Sequence, residues 1–255
     1  ASPTANISLS ENGGGSWGSI VEGVALDRYG MGESSWSPSN ATDAGLLRVE
    51  GVDSGISDVS DGAFSVLAPS THYFINDAST DNDVFTTAVG DDANDGRSAS
   101  TPMASLTALL AAYDFGEEDT IYVDTGTYDL TGNIVIDSDD AGVTIIGAAG
   151  SGDASVDSIA VFNRGNTGGG QYTFALDGAD GVTLSYISLT GGYYGAYITN
   201  SDAVILDSLN VYGNSDDGVY IHETGLNMLI TGGTYHDNGD MGIYISSSGT
   251  ITGVE

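Results

Sequence analysis

A four-residue pattern returns three times in the second half of the chain and limits what the chain can fold into. Gly-Ala-Tyr-Ile at 195–198 recurs as Gly-Val-Tyr-Ile at 218–221 and as Gly-Ile-Tyr-Ile at 242–245, at steps of 23 and 24 residues between the glycines. A period of this length with short strands and no helical periodicity is typical of stacked repeats. The pattern therefore predicts a β-solenoid in which each repeat forms one coil.

Strand alternation predicts which side chains of the pattern face inward. Successive residues of a strand point to opposite faces. The predicted interior row is Ile198, Ile221 and Ile245, and the predicted outer row is Tyr197, Tyr220 and Tyr244. Coils stack about 4.8 Å apart, so the tyrosines should lie against one another. Such a row either stabilises the sheet by cross-strand packing or binds carbohydrate by presenting aromatic faces to sugar rings.

The charge balance excludes several classes of partner. The 255 residues include 36 acids, four arginines and no lysine, giving a formal net charge of −32. Nucleic acids and anionic membranes bind basic residues, so neither is expected as a partner. Membrane insertion is not expected either, because no apolar stretch is long enough to span a bilayer. The composition, with no cysteine and many polar turn residues, predicts an extracellular or cell-surface protein.

Residues 1–69 have the pattern of a separate all-β module. Short strands are predicted at 7–10, 16–21, around Trp36, at 46–50 and at 64–67. The segments 8–20 and 57–64 resemble hairpins and last strands of fibronectin-III-like and related immunoglobulin-like domains of bacterial surface proteins. That resemblance implies a β-sandwich, but a sandwich of this kind has about seven strands, so a partial one is predicted. Its unpaired edge would be available to another strand.

Residues 70–255 are predicted to form the solenoid, with one helix at about 102–113. Leu106, Leu109, Leu110 and Tyr113 recur at helical spacing after Pro102. The motifs Asn-Asp-Gly at 94–96, Thr-Pro at 101–102, Asp-Thr-Ile-Tyr-Val at 119–123 and Gly-Thr-Tyr at 126–128 follow one another in order. This arrangement resembles the start of right-handed parallel β-helix proteins of the pectate-lyase-like superfamily. The resemblance implies that the helix caps the first coil.

The resemblance also raises the possibility of enzymatic activity on polysaccharides. It implies a lyase with a basic residue beside calcium, or a hydrolase or epimerase with its own motif. The chain has no lysine, and Arg164 is the one arginine within the predicted coils. The remaining candidates for a base and an acid, with both histidines predicted in turns, are Tyr220, His222, Tyr235, His236 and Asp237.

Clustered aspartates make calcium a possible cofactor. One group lies in the acidic loop before the helix and another in turns one coil apart, where stacked carboxylates repel one another unless a cation intervenes. The candidate ligands are Asp91, Asp92, Asp95, Asp216, Asp217, Asp237 and Asp240.

The sequence therefore predicts an all-β chain, a partial β-sandwich followed by a right-handed parallel β-helix. The first hypothesis for its function is a non-enzymatic structural module of a large adhesin-like surface or filament-forming protein. Such a module would self-associate with neighbouring copies through unfinished β edges at its ends. The alternatives are a polysaccharide lyase, hydrolase or epimerase, and a carbohydrate-binding module that uses the tyrosine row.

Overall fold

The computed structural model describes residues 3–36, 38, 40–66, 70–151, 159–222, 227–246 and 251–252. The chain divides into two compact units, Ala1–Pro69 and Ser70–Glu255, here called unit 1 and unit 2. Within the described ranges, no helix has the length and apolar character needed to cross a membrane. The all-β class predicted from the sequence is confirmed.

Unit 1 is one antiparallel sheet. Its strands are β1 (Thr4–Ser10), β2 (Gly18–Ala25), β3 (Thr42–Gly51), β4 (Ser57–Val59) and β5 (Phe64–Val66). They are ordered β2-β1-β3-β4, and β5 also pairs with β3. Among the described apolar residues of unit 1, Ala5 alone is buried. This sheet therefore has almost no hydrophobic core of its own.

Two expectations for unit 1 are affected by this sheet. A second sheet, which an immunoglobulin-like sandwich requires, is not found in the described part of unit 1, so that resemblance stays a prediction. The strand predicted around Trp36 is wrong, because Trp36 lies in the loop between β2 and β3. Ser37, Leu67 and the predicted linker residues 68 and 69 lie outside the described residues.

Unit 2 is built almost entirely of short strands. In chain order its elements are β6 (His72–Ile75), α1 (Leu106–Ala112), β7 (Thr120–Val123), β8 (Gly126–Asp129), β9 (Ile134–Ile136), β10 (Thr144–Gly147), β11 (Ala160–Asn163), β12 (Tyr172–Asp177), β13 (Thr183–Ser185), β14 (Ile187–Thr190), β15 (Tyr194–Thr199), β16 (Ile205–Asp207), β17 (Asn210–Tyr212), β18 (Val219–His222), β19 (Met228–Thr231), β20 (Thr234–His236), β21 (Ile243–Ser246) and β22 (Ile251–Thr252). Two 3₁₀ turns, Ser138–Asp140 and Ala148–Ser151, lie between strands.

These strands form three parallel sheets that run the length of the solenoid. The first sheet is ordered β22-β19-β16-β13-β10-β7-β6, the second β20-β17-β14-β11-β8, and the third β21-β18-β15-β12-β9. Each coil contributes one strand to each sheet, beginning with β7, β8 and β9. Every strand except those at the ends of a sheet therefore has a hydrogen-bonded neighbour on both sides.

The interior of unit 2 consists of in-register rows of apolar side chains. In the third sheet Ile198, Ile221 and Ile245 are direct register partners, which confirms the predicted interior row. Ile198 and Ile221 are fully buried, whereas Ile245 is 42% exposed. Among the described strands, β21 is the last of the third sheet, and the register partner of Ile245 there is Ile221.

The helix is shorter than the sequence predicts, and its start is different. It begins at Leu106 after the N-cap Ser105, whose Oγ accepts a hydrogen bond from the Ala108 N–H at 3.2 Å. The predicted start at Pro102 is wrong because this segment is extended. The Met103 N–H donates to the Phe74 carbonyl at 3.0 Å, and Met103 forms a bridge with β6. Leu106 and Leu109 join the solenoid core.

Candidate functional site: the tyrosine stack and the acidic cluster

Five half-buried tyrosines form one continuous stack on the outer face of the third sheet. We call Tyr172, Tyr194, Tyr197, Tyr220 and Tyr244 the tyrosine stack. The ring centroids of Tyr172 and Tyr197 lie 4.7 Å apart, and those of Tyr220 and Tyr244 lie 5.0 Å apart. Their ring planes differ by 21° and 28°, so the rings stack nearly parallel.

The sequence pattern predicts three members of the stack and misses Tyr172 and Tyr194. Strict alternation would turn Tyr194 inward with Ala196 and Ile198. Instead Gly195 and Ala196 are both buried and Tyr194 faces out. A Cβ on Gly195 would lie 2.5 Å from Val211 Cγ1, so only glycine fits where this strand enters the sheet. Tyr172 joins the stack because it is the register partner of Tyr194 on the neighbouring strand. This pairing is seen only in the folded structure, so the sequence pattern does not predict it.

Stacking determines what the tyrosines can bind. Tyr197 packs between Tyr172 and Tyr220, and Tyr220 contacts Tyr194, Tyr197 and Tyr244. The ring faces, which a sugar would need, are therefore covered by other tyrosines at Tyr197 and Tyr220. The geometry favours sheet stabilisation over a sugar platform, and carbohydrate binding by Tyr197, Tyr220 and Tyr244 stays a prediction.

An acidic cluster lies next to the tyrosine stack. Asp216, Asp217 and Asp240 each place a carboxylate oxygen within 4.8 Å of the other two, and we call them the acidic cluster. Asp217 is only 4% exposed, and its Oδ1 accepts a hydrogen bond from the Met241 N–H at 3.0 Å. Burial raises the pKa of Asp217, and the charges of Asp216 and Asp240 add to this, while the Met241 N–H opposes it.

The two features touch through neighbouring side chains. The nearby Asp216 carboxylate raises the pKa of the Tyr193 hydroxyl, and burial adds to this. Burial raises the pKa of Tyr194, and the charge of Asp216 adds to it.

Three hard oxygen ligands in one small volume suit Ca²⁺, so the donor set of the acidic cluster fits the predicted cofactor.

The other aspartates predicted as calcium ligands do not join this cluster. Asp237 has a left-handed backbone (φ 52°) and its Oδ2 lies 2.8 Å from His236 Nδ1. Asp92 accepts hydrogen bonds from the N–H groups of Ala104 and Ser105. Asp91 accepts from the Ala93 N–H, and Asp95 accepts from the Arg97 N–H. Among the described residues, Asp91, Asp92 and Asp95 form no metal-binding group. The carboxylates of Asp91 and Asp95 each close a local turn, whereas that of Asp92 binds the backbone just before α1.

The predicted set of acid–base residues is divided between two sheets. Tyr220 and His222 lie on β18 of the third sheet, whereas Tyr235 and His236 lie on β20 of the second sheet. The expectation that both histidines sit in turns is wrong, because both are strand residues. His222 Nδ1 lies 2.9 Å from Ser246 Oγ, and His236 Nε2 lies 3.2 Å from Asn210 Oδ1.

Tyr235 faces the solenoid interior. It is the register partner of Val211, and its hydroxyl oxygen is buried without a hydrogen-bond partner among the described residues. Burial, with a smaller effect from Asp207, raises the pKa of Tyr235 to about 12. A phenol in this position is poorly suited to exchange a proton with a substrate.

Comparison with known proteins agrees with this architecture. The family model described as "Right handed beta helix region" matches residues 119–254, slightly more than half of the chain. The chain belongs to the right-handed β-helix family. No curated protein matches the sequence. Among solved structures, the crystal structure of pectate lyase Pel9A is similar at 18% identity and a TM-score of 0.45, over 69% of this chain. The chain spans 51% of that structure, about half its length.

Arg164, the arginine within the β-helix coils, is buried and hydrogen-bonded to protein oxygens. Only 6% of it is exposed, and its Nε donates to Asn133 Oδ1 at 3.1 Å. Its Nη1 donates to the Leu130 carbonyl at 3.5 Å, and its Nη2 donates to Gln171 Oε1. The guanidinium joins β-helix segments 31 to 34 residues apart in the sequence, and its donors are directed at neighbouring oxygens rather than at solvent.

Proposed function

We propose that the β-helix unit is a non-catalytic, stiff structural module of an extracellular or cell-surface protein. The tyrosine stack carries this proposal. Its five rings pack on one another across four successive strands of one sheet, β12, β15, β18 and β21, so these large outer side chains are used for packing between coils. Continuous interior rows add to the stiffness, because each coil is covered by the next.

The placement of the histidines supports a non-catalytic role. The side chains that chemistry would need as base and acid lie on two different sheets, and each histidine already has a protein partner. The buried Tyr235 and the hydrogen-bonded Arg164 are likewise engaged in the structure. Polysaccharide lyase, hydrolase or epimerase activity is the alternative proposal.

The strongly negative net charge suits a protein that works where salt or divalent cations are abundant. A formal charge of −32 keeps a protein soluble, and ions screen its self-repulsion. Location outside the cell and self-association with neighbouring copies are part of this proposal. Sedimentation velocity over a range of protein and salt concentrations measures the second of these directly.

A degradation assay tests the proposal against its enzymatic alternative. Purified protein is incubated with uronate and neutral polysaccharides, with and without calcium, and product release is followed. We expect no turnover. Turnover that disappears in His222→Ala or in His236→Ala, while the melting temperature stays that of the wild type, overturns the structural role. Single-molecule pulling tests the proposed stiffness directly. We expect Tyr220→Ala to lower the force at which unit 2 unfolds.

A further inference from the structure

Unit 1 contains a cleft beside the half-buried Trp36. It has a volume of about 580 Å³ and lies between the turn after β1, strand β2 and the loop before β3. We call it the Trp36 cleft, and the side chains that matter for its chemistry are Leu9, Glu11, Asn12, Ile20, Trp36 and Asn40. This volume lies within the range of small-molecule sites, which combine an apolar wall with a few fixed polar groups.

The polar side of the Trp36 cleft is held in place by the protein itself. The fully buried Ser10 donates from Oγ to Asn12 Oδ1 at 3.0 Å, and Asn12 Nδ2 donates to Ser16 Oγ at 2.9 Å. Asn40 Nδ2 donates to Glu11 Oε1 at 3.0 Å. Because these side chains are already oriented, a ligand would lose less free energy in ordering them.

We infer that the Trp36 cleft binds a neutral pyranose unit of a saccharide. The half-buried indole of Trp36 is a flat, amphipathic surface against which the C–H groups of a sugar ring can pack. Glu11 accepts hydrogen bonds from hydroxyl groups, and the amide of Asn40 both donates and accepts them. Asn12 has one N–H left to donate, because its Oδ1 already accepts from the Ser10 hydroxyl and the Ser16 N–H. Sugar hydroxyls also donate and accept, so the two sets of groups are complementary.

Charge selects the class of saccharide. Of the described residues that line the cleft, Glu11 alone is charged, and the chain as a whole is strongly acidic. A uronate or a phosphorylated sugar would enter a negative potential without a cation to pair with. The ligand is therefore a neutral sugar.

The two tryptophans of the chain make a direct titration possible. Trp17 lies outside the cleft lining, with the Arg48 guanidinium carbon 4.7 Å from its ring centroid. In the Trp17→Phe variant, Trp36 is the sole indole, and its emission reports on the cleft. The full chain carrying Trp17→Phe is titrated with the methyl glycosides of glucose, galactose, mannose and N-acetylglucosamine, and with glucuronate.

We expect a saturable emission change with at least one neutral glycoside, at a Kd of about 1 mM. Glucuronate should bind at least about tenfold more weakly, and Glu11→Gln should reduce that difference. By calorimetry, Trp36→Ala and Asn40→Ala should each weaken binding about tenfold or more, whereas Trp17→Phe retains it. Asn40→Ala keeps the test decisive if Trp36→Ala does not fold.

Three results would each overturn the inference. The first is the absence of a saturable change with every neutral glycoside. The second is binding of glucuronate as tight as that of the neutral sugars. The third is binding unaffected by Asn40→Ala at an unchanged melting temperature. Because the cleft lies entirely in unit 1, each of these results leaves the proposed role of the β-helix unit standing.

Discussion

Tyr194 stacks on Tyr220 with ring centroids 4.8 Å apart and ring planes 20° apart, although the two residues are not register partners. Tyr194 pairs in register with Tyr172, and Tyr220 pairs with Tyr197. The diagonal contact therefore joins two rows of tyrosines into one stack. Through it, a change in one coil of the β-helix affects the packing of the coils on either side.

Removing the central ring should destabilise unit 2 measurably. Tyr220 contacts three other tyrosines, and aromatic pairs contribute roughly 0.5–1.5 kcal/mol each beyond burial. We expect Tyr220→Ala to lower the free energy of unfolding by about 2 kcal/mol, and Tyr220→Phe to lower it far less because the ring remains. Urea titration followed by circular dichroism measures both. The control is Tyr29→Ala in unit 1, where the ring is 71% exposed. An equal loss in both alanine variants would contradict the role of the stack.

Two interior tyrosines should respond in opposite ways to loss of the hydroxyl. Tyr128 and Tyr235 lie in the same sheet and both face inward. The Tyr128 hydroxyl donates to the Asp124 carbonyl at 2.9 Å, whereas the Tyr235 hydroxyl is buried without a partner among the described residues. We expect Tyr128→Phe to cost about 1 kcal/mol and Tyr235→Phe to stabilise by a similar amount. The melting temperatures of Tyr128→Phe and Tyr235→Phe test this prediction. Changes of the same sign in the two variants would contradict it.

The acidic cluster should make stability depend on pH. The folded-state pKa of Asp217 is raised, first by burial and then by its acidic neighbours. The folded protein therefore holds this proton more tightly than the unfolded chain does. The resulting stabilisation is present below the ordinary aspartate pKa of about 3.9 and is lost as the pH rises through the folded-state pKa.

Asp217→Asn isolates that effect. Asparagine keeps an oxygen for the Met241 N–H but has no charge. We expect the variant to melt at a higher temperature than the wild type at pH 7, and the difference to shrink as the pH falls toward 4. The exposed Asp43 of unit 1 supplies the control, Asp43→Asn. A difference that does not vary with pH would contradict the assignment.

Calcium should relieve the repulsion between the carboxylates of Asp216, Asp217 and Asp240. If Ca²⁺ binds the acidic cluster, added calcium raises the melting temperature, because a ligand at 100 times its Kd stabilises by about 2.7 kcal/mol. We expect the increase in the wild type, its removal by a chelator, and its loss in Asp240→Asn. Asp237→Asn should keep it, since Asp237 is engaged by His236. An equal increase in both variants would place the calcium effect elsewhere.

The sequence predicts the coils of the solenoid well because their signal is local. Alternation within β15, β18 and β21 identifies the inward isoleucines, and the spacing of the glycines gives the coil length. The helix start is predicted incorrectly, because pairing of Met103 with β6 overrides the preference of proline for a first helical turn. The immunoglobulin-like resemblance of unit 1 rests on the two local segments 8–20 and 57–64, and local segments do not specify how many sheets the strands build.

Local alternation is sufficient to predict a stack of short strands and the interior isoleucines of the third sheet, because a two-residue period is read from adjacent residues. The folded structure was needed to establish which side chains meet across coils. It joined Tyr172 and Tyr194 to the stack, grouped Asp240 rather than Asp237 with Asp217, and placed His222 and His236 on different sheets. The reason is physical: the backbone turn at each corner depends on contacts with the next coil, as the close approach of Val211 to Gly195 illustrates. Those contacts exist only once the coils have stacked.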